Sequence, residues 1–146
     1  MLYQLFAGAL VSLVNFGLHA IITGTVVVAA RHTAAATDDL HVFARVTALL
    51  MVTMIALMTA HIVEISVWAS FIAWQGIVTE KVAPFEFAFE NYTALGYGDV
   101  VAGQGFRLIG PIIALNGLLL IGWSVALIFE VMKMAEVQVA RKESSS

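Results

Sequence analysis

The sequence predicts an all-α membrane protein with three transmembrane helices and a short re-entrant helix and loop between the second and third. Three observations carry that prediction. Hydrophobic residues make up 61% of the 146, charged residues only 12%, and the mean hydropathy is +0.95, far beyond soluble usage. Three runs, Leu2 to Ala30, Val46 to Gln75 and Leu108 to Met134, are each apolar and long enough to span a bilayer. Between the last two lies Phe85 to Tyr92, too short to cross, followed by a glycine-punctuated stretch to Gly105. Such a segment must re-enter, which lipid allows only where protein or water satisfies the backbone. One domain without internal repeats is expected. The absence of cysteine excludes disulfides and thiolate chemistry, and a net charge of −3, scattered along the chain, gives no footing for nucleic acid.

Taken in order, residues 1–30 form the first helix, interrupted only by mild polar residues such as Asn15 and His19. A cleaved signal peptide is the rival, because Val28-Ala29-Ala30 imitates a cleavage site. However, Met1-Leu2-Tyr3-Gln4 carries no basic flank and the apolar run is overlong. Residues 31–45 read as a polar link holding Asp38 and Asp39, with Thr37 and Asp38 as cap candidates. The second helix, 46–75, is apolar except for Thr, Ser and the pair His61 and Glu64, and Trp68 and Trp74 are expected to mark its interfacial end. After a short turret, Pro84 suits the first turn of a helix over 84–92, where a missing N–H costs nothing. The third spanning helix covers 108–134 and the charged tail 135–146.

The loop after the short helix reads Thr93-Ala94-Leu95-Gly96-Tyr97-Gly98-Asp99. It resembles the selectivity filter of tetrameric potassium channels, whose usual core is Thr-Val-Gly-Tyr-Gly. The resemblance to the small prokaryotic potassium channel family covers about Ala44 to Lys133. It implies a homotetramer in the lipid bilayer of a bacterial plasma membrane, no enzymatic activity, no cofactor, and potassium ions as the permeant ligand. In that reading 46–75 is the outer helix, 84–92 the pore helix, 93–99 the filter and 108–134 the inner helix of a tetrameric pore. Alternating glycines matter because successive carbonyls must all point inward. Gly96 and Gly98 can take positive φ without a Cβ clash. Four copies would then stack carbonyl rings from Ala94, Leu95, Gly96 and Tyr97 around a dehydrated ion, with Leu95 and Tyr97 side chains pointing back into protein.

Lysine and arginine positions give the orientation. With the N-terminus outside, the inner segments hold Arg31, Arg45, Lys133, Arg141 and Lys142 against Lys81 and Arg107 outside. The loop then faces out and the C-terminus is cytoplasmic. On the third helix, the resemblance puts Arg107 at the mouth and Gly117 at the family's hinge, with Gly122 five residues on. Glycines that permit close helix packing are the alternative reading. In the same register Leu118, Ile121, Val125 and Phe129 line the cavity and inner mouth. Three departures are visible: Ala94 replaces the threonine whose hydroxyl completes the innermost ion site, Leu95 replaces valine or isoleucine, and Glu86-Phe87 stands where many members carry an aromatic pair.

No helix carries the repeated arginines of a voltage sensor, and so few residues follow the third helix that no cytosolic ligand-binding domain is expected. Two carboxylates deserve pairing: Glu90 and Asp99 stand at a spacing at which some family members join them behind the filter through a shared proton. Tyr92 is a further support candidate. His61, Glu64 and Asn116 fall at similar depth and are expected to form a polar knot between the second and third helices, with Tyr92 or Thr93 able to join. That knot is either a structural clamp or a proton sensor in which His61 charges near neutral pH. Against the channel stand a weakly selective sodium/potassium channel, a non-conducting accessory subunit, and a membrane sensor or enzyme using His61 and Glu64 as metal ligands. The last lacks a third strong ligand nearby in the sequence.

Overall fold

A computed structural model describes residues 1–36, 41–78, 83–98 and 100–143. Among the described residues there are four α-helices: α1 (Leu2–Ala36), α2 (Val42–Gln75), α3 (Pro84–Tyr92) and α4 (Ile109–Glu143). Three of them, α1, α2 and α4, are long and apolar enough to cross a membrane. Polar residues within them cost little because their hydroxyls close onto the preceding turn. Thr47, Thr53, Thr59, Ser66 and Ser70 each donate to the carbonyl four residues back.

Contacts at the two ends fix the arrangement. Near the N-terminus of α1, Gln4 Oε1 accepts from the backbone N–H of Leu108 at 3.0 Å, serving the start of α4. At the opposite end Ala30 packs with Leu49, Val131 and Ala135. So α1 runs parallel to α4 and antiparallel to α2. A middle layer joins Val26, Leu57 and Leu127.

The largest core lies at the end where α3 is inserted between α2 and α4, and includes Trp68, Ile72, Phe87, Ala88, Tyr92, Ile109, Ile113 and Leu120. Pro84 starts α3 and Thr93 ends it. The segment beyond the loop is tied back where Gly103 N–H donates to the Ile77 carbonyl at 3.2 Å.

Three sequence expectations need correction. The polar link over 31–45 is largely helical: α1 continues to Ala36 and α2 already begins at Val42, because His32-Thr33-Ala34-Ala35-Ala36 and Phe43-Ala44-Arg45 hold no helix breaker. His41 caps α2, its Nδ1 accepting from Phe43 N–H at 3.4 Å, whereas Thr37 and Asp38 lie outside the described residues. The tail likewise stays helical to Glu143, as Met134 to Glu143 holds no Gly or Pro. Third, Trp68 is fully buried in the core instead of marking an interface, while Trp74, six residues on, is 80% exposed.

Candidate ion pathway and the buried cluster behind it

The loop after α3 has a backbone of alternating hand. Ala94, Gly96 and Gly98 have φ of 55°, 51° and 79°, while Leu95 and Tyr97 between them do not. Alternation of this kind turns successive carbonyls toward one side, where an ordinary strand would point them alternately. Two of the three positions are glycine, for which positive φ is free. Ala94 accepts an energetic cost of about 1–2 kcal/mol for the left-handed conformation. The loop leaves the helix through bonds from Thr93 N–H to Phe89 O, Ala94 N–H to Asn91 O and Leu95 N–H to Glu90 O, at 3.1, 2.9 and 3.0 Å.

Within one chain this loop is bare. Leu95 is 59% and Tyr97 71% exposed, so the described residues of the chain leave most of both side chains uncovered. Asp99 lies outside the described residues, and with it the expected Glu90 pairing.

Behind the loop, α1, α2, α3 and α4 converge on one buried carboxylate. Glu64, fully buried, meets His19 Nδ1 through Oε1 at 2.7 Å and His61 Nδ1 through Oε2 at 3.1 Å. The Tyr92 hydroxyl donates to the same Oε2 and lies 2.8 Å from His61 Nδ1. Ser124 Oγ sits 3.0 Å from His61 Nε2 and 3.4 Å from His19 Nε2. The two imidazoles stack at 5.6 Å, and Trp123 closes edge-on over His19 at 5.3 Å.

Asn116 forms a second layer. Its Oδ1 accepts from Trp68 Nε1 at 2.9 Å and from Asn15 Nδ2 at 3.1 Å, and Asn15 Nδ2 also reaches the Glu64 carbonyl at 3.2 Å. Sequence reasoning thus named His61, Glu64 and Tyr92, which touch, and Asn116, which reaches Glu64 only through Asn15. Thr93 does not join, because its hydroxyl turns back to the carbonyls of Phe89 and Glu90. The missed members are Asn15, His19, Trp68 and Ser124. A usable signal existed for two of them: Asn15 and His19 are four residues apart on an otherwise apolar helix, hence on one face.

A family model described as "Ion channel" matches residues 60–134, just over half of the chain. The chain belongs to this ion channel family. No curated protein and no solved structure matches it.

The matched part of this ion channel chain takes in His61, Glu64, α3, the loop and most of α4, and leaves α1 outside. On α4, Gly117 faces the end of α3: a Cβ built there would lie 2.0 Å from the Tyr92 carbonyl oxygen. Gly122 has nothing within 4 Å of such a Cβ. Leu118, Ile121, Val125 and Phe129 are 55%, 36%, 47% and 62% exposed, so this face of α4 is only partly covered by the described residues.

Proposed function

We propose that the chain is one subunit of a potassium-selective channel, a homotetramer in which four copies of the loop from Thr93 to Gly98 face a common axis and pass potassium through rings of backbone carbonyls. The observation that carries this reading is the alternating φ at Ala94, Gly96 and Gly98, in a loop held by a re-entrant helix between two spans. The exposed loop and the uncovered face of α4 support it, because both lack partners that symmetry mates would provide.

The N-terminus lies on the same side as the loop, since Gln4 bonds Leu108 at the head of α4. The excess of Lys and Arg in the opposite segments makes the loop side the outside and the C-terminus cytoplasmic, in a bacterial plasma membrane. Leu118, Ile121, Val125 and Phe129 line the cavity. The reading assigns the chain no reaction to catalyse. A weakly selective sodium/potassium channel is the second reading, favoured by Ala94, which leaves the innermost site without a ring of hydroxyls.

Reversal potentials of the purified protein in planar bilayers under potassium and sodium gradients test both. A potassium-directed reversal potential supports the first. Values near zero support the second, and absence of current from a folded tetramer leaves only an accessory subunit.

A further inference from the structure

Glu64 faces two imidazoles in a way that a purely hydrogen-bonded knot does not require. Both histidines present the same atom, Nδ1, to the carboxylate, and both present Nε2 to the single hydroxyl of Ser124. The donor atoms of His19, His61 and Glu64 all lie within 4.8 Å of one another. A tetrahedral dication bound at about 2.0–2.1 Å to nitrogen and 2.0–2.2 Å to oxygen holds its donors about 3.4 Å apart. The present separations of 2.7 and 3.1 Å to the carboxylate oxygens need to open by less than about 1 Å, and the widest donor pair, within 4.8 Å, needs to close by at most about 1.4 Å.

We propose that His19, His61 and Glu64 form a binding site for a divalent transition-metal ion of the zinc type at the junction of α1, α2 and the pore helix α3. Two imidazoles and a carboxylate are a donor set that zinc accepts, with a fourth position left over. Tyr92 Oη fills that place or orients a water there, since it already lies within hydrogen-bond reach of both Glu64 and His61. Without an ion each Nδ1 carries the proton and donates it to Glu64. With an ion each neutral imidazole shifts its proton to Nε2, which then needs an acceptor. The Ser124 oxygen has two lone pairs and stands opposite both Nε2 atoms, so it meets the need of outer partners that fix the ligating tautomer. His61, with 16% of its side chain exposed, is the open edge by which an ion arrives.

A third ligand is not visible beside His61 and Glu64 in the sequence, because His19 is forty-five residues from Glu64 and lies outside the segment matched by the family. Its position makes the site particular to a chain that has α1. Tyr92 is the last residue of α3 and precedes Thr93, so an ion here would tie α1 to the base of the loop.

The test uses the full chain in detergent, stripped with EDTA and titrated with zinc chloride by calorimetry and with cobalt chloride by visible absorption. Expected are one zinc per chain at micromolar affinity or better, and a cobalt spectrum of tetrahedral intensity. His19→Gln should weaken zinc by more than about 10-fold, and Ser124→Ala by about 10-fold, as outer partners of ligating histidines do. Ser124→Ala also serves if His19→Gln fails to assemble. A double variant of the exposed His32 and His41, both to Gln, should bind as the parent does. Absence of zinc binding by the parent protein overturns the proposal, and so does binding that survives both site variants or disappears with His32 and His41. Because the readout is binding and not current, either failure leaves the channel reading standing.

Discussion

Gly117 and Tyr92 are in direct backbone contact: the position a Gly117 Cβ would occupy is 2.0 Å from the Tyr92 carbonyl oxygen. That oxygen belongs to the last turn of α3, so α4 serves as the seat of α3 and the absence of a side chain at 117 is what lets α3 settle there. Backbone cannot yield as a flexible side chain can. Gly117→Ala is therefore expected to unseat α3, abolishing conduction and weakening the proposed tetramer, whereas Gly122→Ala, with open space around it within one chain, should leave α3 seated. Size-exclusion elution after graded heating, alongside ion flux into liposomes, checks both. If Gly122→Ala blocks opening while Gly117→Ala conducts normally, glycine acts as a hinge at 122 and the seat at 117 is unimportant.

At Gly96 and Gly98 the strain of a side chain comes from φ, not from crowding, since neither has an atom within 4 Å of its Cβ position in one chain. Alanine at either costs about 1–2 kcal/mol per subunit. In the proposed tetramer four subunits share one filter, so the penalty multiplies. Selective conduction should be lost in both variants, and a reversal potential unchanged from the parent protein would contradict the carbonyl-ring mechanism.

Ala94 sets two effects against each other. In the proposed filter, threonine there supplies a hydroxyl to the innermost site, but a β-branched residue at a φ of 55° is a severe backbone outlier. Ala94→Thr is expected to shift reversal potentials further toward potassium and at the same time to lower the temperature at which the tetramer dissociates. A variant that gains stability would show that residue 94 leaves the left-handed region in the assembled channel.

Which of these features could be read from the sequence follows from where their signals reside. Membrane spans and the short helix between them are properties of local composition, so the three long helices and Pro84–Tyr92 are legible, the far ends of α1 and α4 excepted. Gly96 and Gly98 announced their backbone because glycine marks positive φ; Ala94 did not, because alanine carries no such mark. Charge does not end a helix at Arg31 or Arg45: arginine is a good helix former, so α1 runs past Arg31 and α2 starts before Arg45. Trp68 was misassigned because a tryptophan near a helix end signals an interface only if nothing polar waits inside, and Asn116 waits for its indole N–H. His19 and Asn15 went unrecognised as partners because their contacts with Glu64 and Asn116 span 45 to 101 residues, beyond the reach of any local pattern.

Tyr92 and Glu64 offer a direct measure of how α3 is held. Tyr92→Phe keeps the ring in its buried site and removes only the hydroxyl, so the expected loss is about 1–3 kcal/mol of stability from a carboxylate oxygen that loses one of its two partners. A double-mutant cycle with Glu64→Gln, followed by thermal unfolding in detergent, should return a coupling of at least about 0.5 kcal/mol. Strictly additive effects would mean the two side chains do not interact.

The last prediction compares the two histidines. Both bond Glu64, and on family grounds His61 is the member that matters, since it lies in the matched segment and His19 does not. Partner redundancy says the reverse. Glu64 Oε2 has two partners, His61 and Tyr92, and keeps one if His61 is removed. Among the described residues Oε1 has His19 alone, at 2.7 Å, and His19 is fully buried, so no water replaces it. An unsatisfied buried acceptor costs about 1–3 kcal/mol, more when it carries charge. His19→Leu should therefore destabilise the folded protein more than His61→Leu, by roughly that amount. Parallel melts of the two variants in one detergent decide it. A larger loss for His61→Leu would mean that α1 is an accessory to the knot and not its keystone, and that the carboxylate is held mainly from within α2 and α3.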